Sequence, residues 1–157
     1  DRAVLAFDPI APGAPPLRII DRDCEDLEEA GKAYASLVQS IRMVSCQRVG
    51  VWAPSERRFS SAAVGVDGSG RLLFIHARSP WPVHELVAAL LAAPIDLRQA
   101  MYVEGGPEAQ LYVRGGGTEL LRVGASEVGI ELPGGGLPVP NVLAAVRRPP
   151  AASAATK

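Results

Sequence analysis

Surplus positive charge is missing from this chain: its 157 residues carry 16 Lys and Arg against 17 Asp and Glu, a net charge of −1. A general nucleic-acid binder needs an excess of cations to displace counterions from phosphates, so that class is excluded. Lysine itself is nearly lacking, with Lys32 and Lys157 the only two. The Arg bias, with abundant Ala, Gly and Pro, reads as GC-rich coding and says little about function. No apolar run approaches the roughly 20 residues of a membrane span. Histidines and cysteines number two each. Neither Cys24 nor Cys46 sits in a CxxC pair, and His76 and His84 lie far along the chain from both, so no zinc site is expected. The cysteines leave two readings open, one disulfide or two unrelated buried thiols. The glycine-rich stretches lack GxGxxG or GxxxxGK[ST] spacing, and Ser60, Ser61 and Ser79 lack a GxSxG setting. No cofactor is expected.

What is present is strand-like. A hydrophobic content of 48% is enough to build the core of one domain. Residues 3–7, 17–20, 41–51, 61–66, 72–76, 100–103, 109–113 and 120–123 read as strands, and Asp67-Gly68-Ser69-Gly70 as a hairpin turn. Two helices interrupt them. The first has Asp23 as its N-cap candidate and a stripe of Leu27, Ala30, Tyr34, Leu37 and Val38. The second opens at Ser79-Pro80, carries Val83, Leu86, Val87, Leu90 and Leu91, and stops at Pro94. This pattern predicts an α+β fold, a mixed or mostly antiparallel β-sheet with two principal helices packed on it. Residues 134–140 read as loop and 142–146 as a last edge strand. The predicted division is a domain over 1–146 and a disordered tail over 147–157.

The richest segment for chemistry is Tyr102-Val103-Glu104-Gly105-Gly106-Pro107-Glu108. Two carboxylates bracket a Gly-Gly-Pro turn at a strand end. Such pairs suit acid/base work, glycoside hydrolysis included, because proximity pushes their pKa values apart. Gly105 and Gly106 let backbone N–H groups face an anionic or sugar ligand without a Cβ in the way. The plainer reading is a tight hairpin with solvated glutamates. His84, in the first turn of the second helix and off its apolar stripe, is a second proton-transfer candidate. His76 reads as a core or rim residue. Arg57-Arg58 beside Ser60-Ser61 could bind a phosphate by a bidentate contact.

Taken in order, Gln39 to Met43, Ser60 to Gly65, Asp67 to Phe74, the helix over 80–93 and Tyr102 to Tyr112 resemble the C-terminal half of the phosphodiester glycosidase family. These are relatives of the lysosomal uncovering enzyme, which removes N-acetylglucosamine from a phosphodiester. The resemblance spans roughly residues 37–113, with the flanks fitting a bacterial branch. It implies hydrolysis of a sugar-1-phosphodiester, with Glu104 as the principal acid/base or electrostatic group. Glu108 and His84 would assist, and Gly105, Gly106, Arg58 and Ser61 would contact the substrate, Arg58 as a phosphate clamp. The family has Asp-Gly-Gly-Gly-Ser where this chain has Glu104 to Glu108, and an arginine where it has Ser61. Its Asn-Gly-rich N-terminal segment has no counterpart here. These departures motivate an alternative, a non-catalytic exported carbohydrate-binding or envelope-associated module of the same fold. The resemblance further implies an exported protein, a Cys24–Cys46 disulfide, a carbohydrate or glycosyl-phosphate partner, and an N-terminal part of the domain outside this chain.

Overall fold

The computed structural model describes residues 2–125 and 136–147. Its elements run β1 (Ala3–Pro9), β2 (Leu17–Asp21), α1 (Leu27–Gly31), β3 (Tyr34–Ser40), β4 (Arg42–Val44), β5 (Phe59–Asp67), β6 (Leu72–Trp81), α2 (Val83–Ala92), β7 (Leu97–Gly105), β8 (Gln110–Gly115) and β9 (Thr118–Val123). The described residues form three sheets, in the orders β2-β1-β3, β4-β7-β5-β6 and β8-β9. Every named pairing is antiparallel.

Alternation along β1 explains the layers. Ala3 and Leu5 point toward the four-stranded sheet and meet Ile19, Val64, Val66 and Met101. Val4 and Ala6 point the other way, joining Ile20 and Tyr34 under Leu27 and Ala30 of α1. The opposite face of the four-stranded sheet buries Met43, Ala63, Leu97 and Ala100 against Val83, Leu86 and Val87 of α2. A period of two thus supplies both faces of each sheet. Strand β5 is buried from Ser60 to Asp67 and paired on both edges, which is why it reads as an almost unbroken apolar run.

The expected pair of principal helices is corrected. Among the described residues only α2, with ten residues, is substantial, and α1 has five. Asp26, not Asp23, caps α1, its carboxylate accepting from the Glu29 N–H. From Tyr34 the chain is a strand paired with β1 from Ala3 to Pro9, and its exposure alternates residue by residue. The four-residue spacing of Tyr34 and Val38 fits a strand as well as a helix, and the ladder to β1 decides. The fold is therefore predominantly antiparallel β. Strand β6 runs on through Ser79 and Pro80 to Trp81, so α2 starts after Pro82. The expected strand over 41–51 shortens to β4, followed by a turn and one bridge from Val44 to Gly50. Residues 142–146 form no strand, although Leu143 packs on the inter-sheet cluster. The proposed tail lies, beyond Arg147, outside the described residues. Among those described, no helix is long and apolar enough to cross a membrane.

Candidate functional site

Strand β7 carries Glu104 to the end of the sheet, and the chain then leaves it in one 3₁₀ turn over Gly106–Glu108. Gly106 takes a φ of +65°, a conformation that a side chain would strain, and its carbonyl accepts from the Ala109 N–H at 3.1 Å. The turn is braced from below. The chain leaving β9 returns so that the Gly124 N–H donates to the Ala109 carbonyl at 2.8 Å. Fully buried Ser60 accepts from the Ala125 N–H at 2.7 Å and donates to the Arg78 carbonyl. His76 Nε2 donates to the Ala109 carbonyl at 3.0 Å, the satisfied structural contact expected of it.

Above this brace lies an open cleft of about 550 Å³, lined by Arg57, Phe59, Tyr102, Glu104, Gly105, Gly106 and Pro107. Glu104 is exposed, and its Oε1 accepts from the Gly105 N–H at 2.9 Å. Tyr102 forms part of the wall. Its ring packs on Trp52 with centroids 5.1 Å apart and on Phe59 at 6.4 Å, edge to face. Burial pushes the Tyr102 phenol up to about 12, with the Glu104 charge adding to the rise. The Ser61 hydroxyl beside it opposes that shift but makes no hydrogen bond of normal geometry.

The cleft thus gathers Glu104, Gly105 and Gly106 from the expected set. Ser61 lies beneath them, 1% exposed and paired in register with Gly105. Three others are not in the lining. Glu108 is exposed at the far end of the turn. Arg58 is exposed, and its neighbour Arg57 is the arginine that lines the cleft. His84 Nδ1 accepts from the Ser55 N–H at 3.4 Å, so it holds the loop that carries Arg57. Phe59 and Tyr102 add to the expected set, while Arg57, half of the Arg57-Arg58 pair read as a phosphate contact, takes the lining position given to Arg58. Alternation could not have found Phe59 and Tyr102, because the register shifts beside both, between Ala62 and Ala63 against β7 and between Phe59 and Ser61 against β6.

A second cluster lies at the other end of the sheets. Cys24 and Cys46 are joined by a disulfide, their Cα atoms 6.7 Å apart. Beside them Arg42 bridges Asp21 and Asp23. Hydrogen bonds from Arg42 and then Arg2 hold the Asp23 carboxyl below its usual range. Asp21, Cys24 and Cys46 bring one ligand atom each within 4.8 Å of the others. With the sulfurs bonded to each other no thiolate is available, and the Asp21 oxygens are taken by Arg42 and by the N–H groups of Asp23 and Cys46. This trio does not fit a metal.

No curated protein and no solved structure matches the chain. The family model described as phosphodiester glycosidase does, over residues 1–146, taking in β1, β2 and α1 as well as the segments from 37 to 113 that carry the resemblance. With nearly its whole length matched and a carboxylate-glycine turn opening on one cleft, this chain belongs to the phosphodiester glycosidase family.

Proposed function

We propose that the chain hydrolyses a sugar-1-phosphodiester in the cleft at the end of β7. The observation carrying this reading is the convergence of one carboxylate, one guanidinium, two glycines and an aromatic wall on a single opening in a member of this family. Cleavage of a glycosidic bond builds positive charge at the anomeric carbon, which a carboxylate beside it stabilises. Glu104, held by the Gly105 N–H, takes that role. Arg57 grips the phosphate oxygens, with Arg58 adding to the positive field beside it, because a planar guanidinium matches two of them at once. Gly105 and Gly106 admit the substrate close to the backbone, over Ser61. His84 assists by fixing the Arg57 loop, and Glu108 from the end of the turn. A leaving phosphate monoester is a weak base, so no second carboxylate is needed for its departure; water entering from the open cleft bonds to the anomeric carbon and gives its proton to the released phosphate. The disulfide supports an exported location, where an oxidising medium preserves it.

A second reading is a carbohydrate-binding module without turnover. It is favoured by Glu104 being the one carboxylate among the described lining residues. One experiment separates the two. Glu104→Gln in the full chain should lower hydrolysis of a chromogenic glycosyl phosphodiester by about 10²- to 10⁴-fold, with an unchanged melting temperature because the side chain is exposed. Saturable sugar binding by the unaltered chain with no turnover would favour the module. Full hydrolysis by Glu104→Gln would overturn the role given to Glu104.

A further inference from the structure

We infer that Tyr102 contacts the substrate, its phenol hydroxyl donating a hydrogen bond to an oxygen of the glycosyl phosphodiester held beside Glu104. The inference rests on the hydrolase reading and adds a residue and a role to it.

The first ground is fixation. The Tyr102 ring is held between Trp52 and Phe59. Its N–H donates to the Ile41 carbonyl at 2.8 Å, and its carbonyl accepts from Ser40 Oγ. A donor that cannot wander costs little entropy to align. The second ground is place. A Cβ on Gly105 would fall 2.0 Å from the Tyr102 hydroxyl, so the absence of a side chain there leaves room for the phenol. The same Gly105 donates to the Glu104 carboxylate. One residue's backbone therefore touches both groups, and an oxygen entering over Gly105 meets them together. The third ground is unused capacity. The Ser61 hydroxyl beside the phenol is buried and makes no hydrogen bond of normal geometry, so the phenol proton is not committed to Ser61 and can be offered to a partner in the cleft.

Charge state fixes the role. A phenol held protonated up to about pH 12 is a far weaker acid than a phosphate monoester, whose second pKa is about 6. The leaving phosphate would not take its proton. Tyr102 therefore donates a hydrogen bond without transferring the proton.

The test is Tyr102→Phe in the full chain, which keeps the ring and removes the hydroxyl. Tyr112→Phe, an exposed tyrosine bonded to Glu119, serves as the matched control. For Tyr102→Phe, kcat/KM on a chromogenic glycosyl phosphodiester should fall about 10- to 100-fold, and the pH profile from about 6 to 9 should keep its shape. Binding of a non-hydrolysable glycosyl phosphonate, followed by calorimetry, should weaken about tenfold, with the melting temperature held and the control unchanged. Activity and binding both within about twofold of the unaltered chain would overturn the inference. A fall that also removes a limb of the pH profile would overturn it in favour of proton transfer. If the unaltered chain binds the phosphonate without cleaving the diester, the hydrolase reading fails alone, and the binding comparison still decides for Tyr102. If it neither binds nor cleaves, both are overturned.

Discussion

Single residues carry most of the electrostatic consequences, and Asp67 shows how sharply. It closes the β5–β6 hairpin, one carboxylate oxygen accepting from the N–H groups of Ser69 and Arg71, each at 2.9 Å, and the other from Arg71 Nε at 2.7 Å. The Arg71 N–H, above all, holds its pKa below the ordinary 3.8, with the Arg71 side chain and the Ser69 N–H adding to the effect against a contrary push from burial. The folded chain therefore binds this proton less readily than the unfolded one. The stability Asp67 contributes is complete above pH 3.8 and is lost as pH falls through the lower folded value. Asp67→Asn should melt lower than the unaltered chain at pH 7, with the gap narrowing as pH drops below 3.8. Melting curves at pH 7 and pH 3 check this, and a gap constant with pH would contradict it. At this scale the sequence was informative where a motif is local. The Asp67–Gly70 turn and the Gly106–Glu108 turn after Glu104 are each contiguous and legible. Arg57 was not separable from Arg58, because which of two adjacent loop arginines faces the cleft depends on His84, 26 positions beyond Arg58, holding Ser55.

At the scale of elements, α2 does what α1 cannot. Its stripe of Val83, Leu86 and Val87 seals the sheet face behind the cleft. Leu86→Ala should cost about 2–5 kcal/mol, the range for a large-to-small change at a buried position, as read from urea unfolding midpoints. The same periodicity made this helix readable, since Val83, Leu86, Val87, Leu90 and Leu91 fit a helix and no strand. The segment around Tyr34 lacked that discrimination, and its partner strand β1 lies some thirty residues earlier in the chain. Pairing across such a distance leaves no local trace, so β3 emerged only with the sheet. Pro80 misled in the opposite way. It fits the first turn of a helix, but it also fits β6, an edge strand of its sheet, where a missing N–H costs little.

At the scale of the whole molecule, the two larger sheets are joined by more than apolar contact. The chain passes from β3 in one sheet to β4 in the other with only Ile41 between them, and the Cys24–Cys46 disulfide fastens the loop after β2 to the turn after β4. Closing a loop of this separation, 22 residues, restricts the unfolded chain, a contribution of roughly 3 kcal/mol. Reduction, or Cys24→Ser with Cys46→Ser, should accordingly lower the melting temperature by roughly 6–12 °C while leaving the proposed hydrolysis unchanged at 25 °C, because the cleft lies on the far ends of β5 and β7. Calorimetry with and without reductant measures the first part and a rate assay the second. The bridge also has a topological effect. It turns residues 24–46 into a covalent ring that contains α1, β3 and β4. A single backbone cut inside that ring opens the circle and releases nothing, whereas a cut in the Trp52–Arg58 loop yields two separate chains. In surroundings that contain proteases, the exposed polar stretch around α1 can be nicked while the first strand, the cleft strands and the helix behind them remain one molecule.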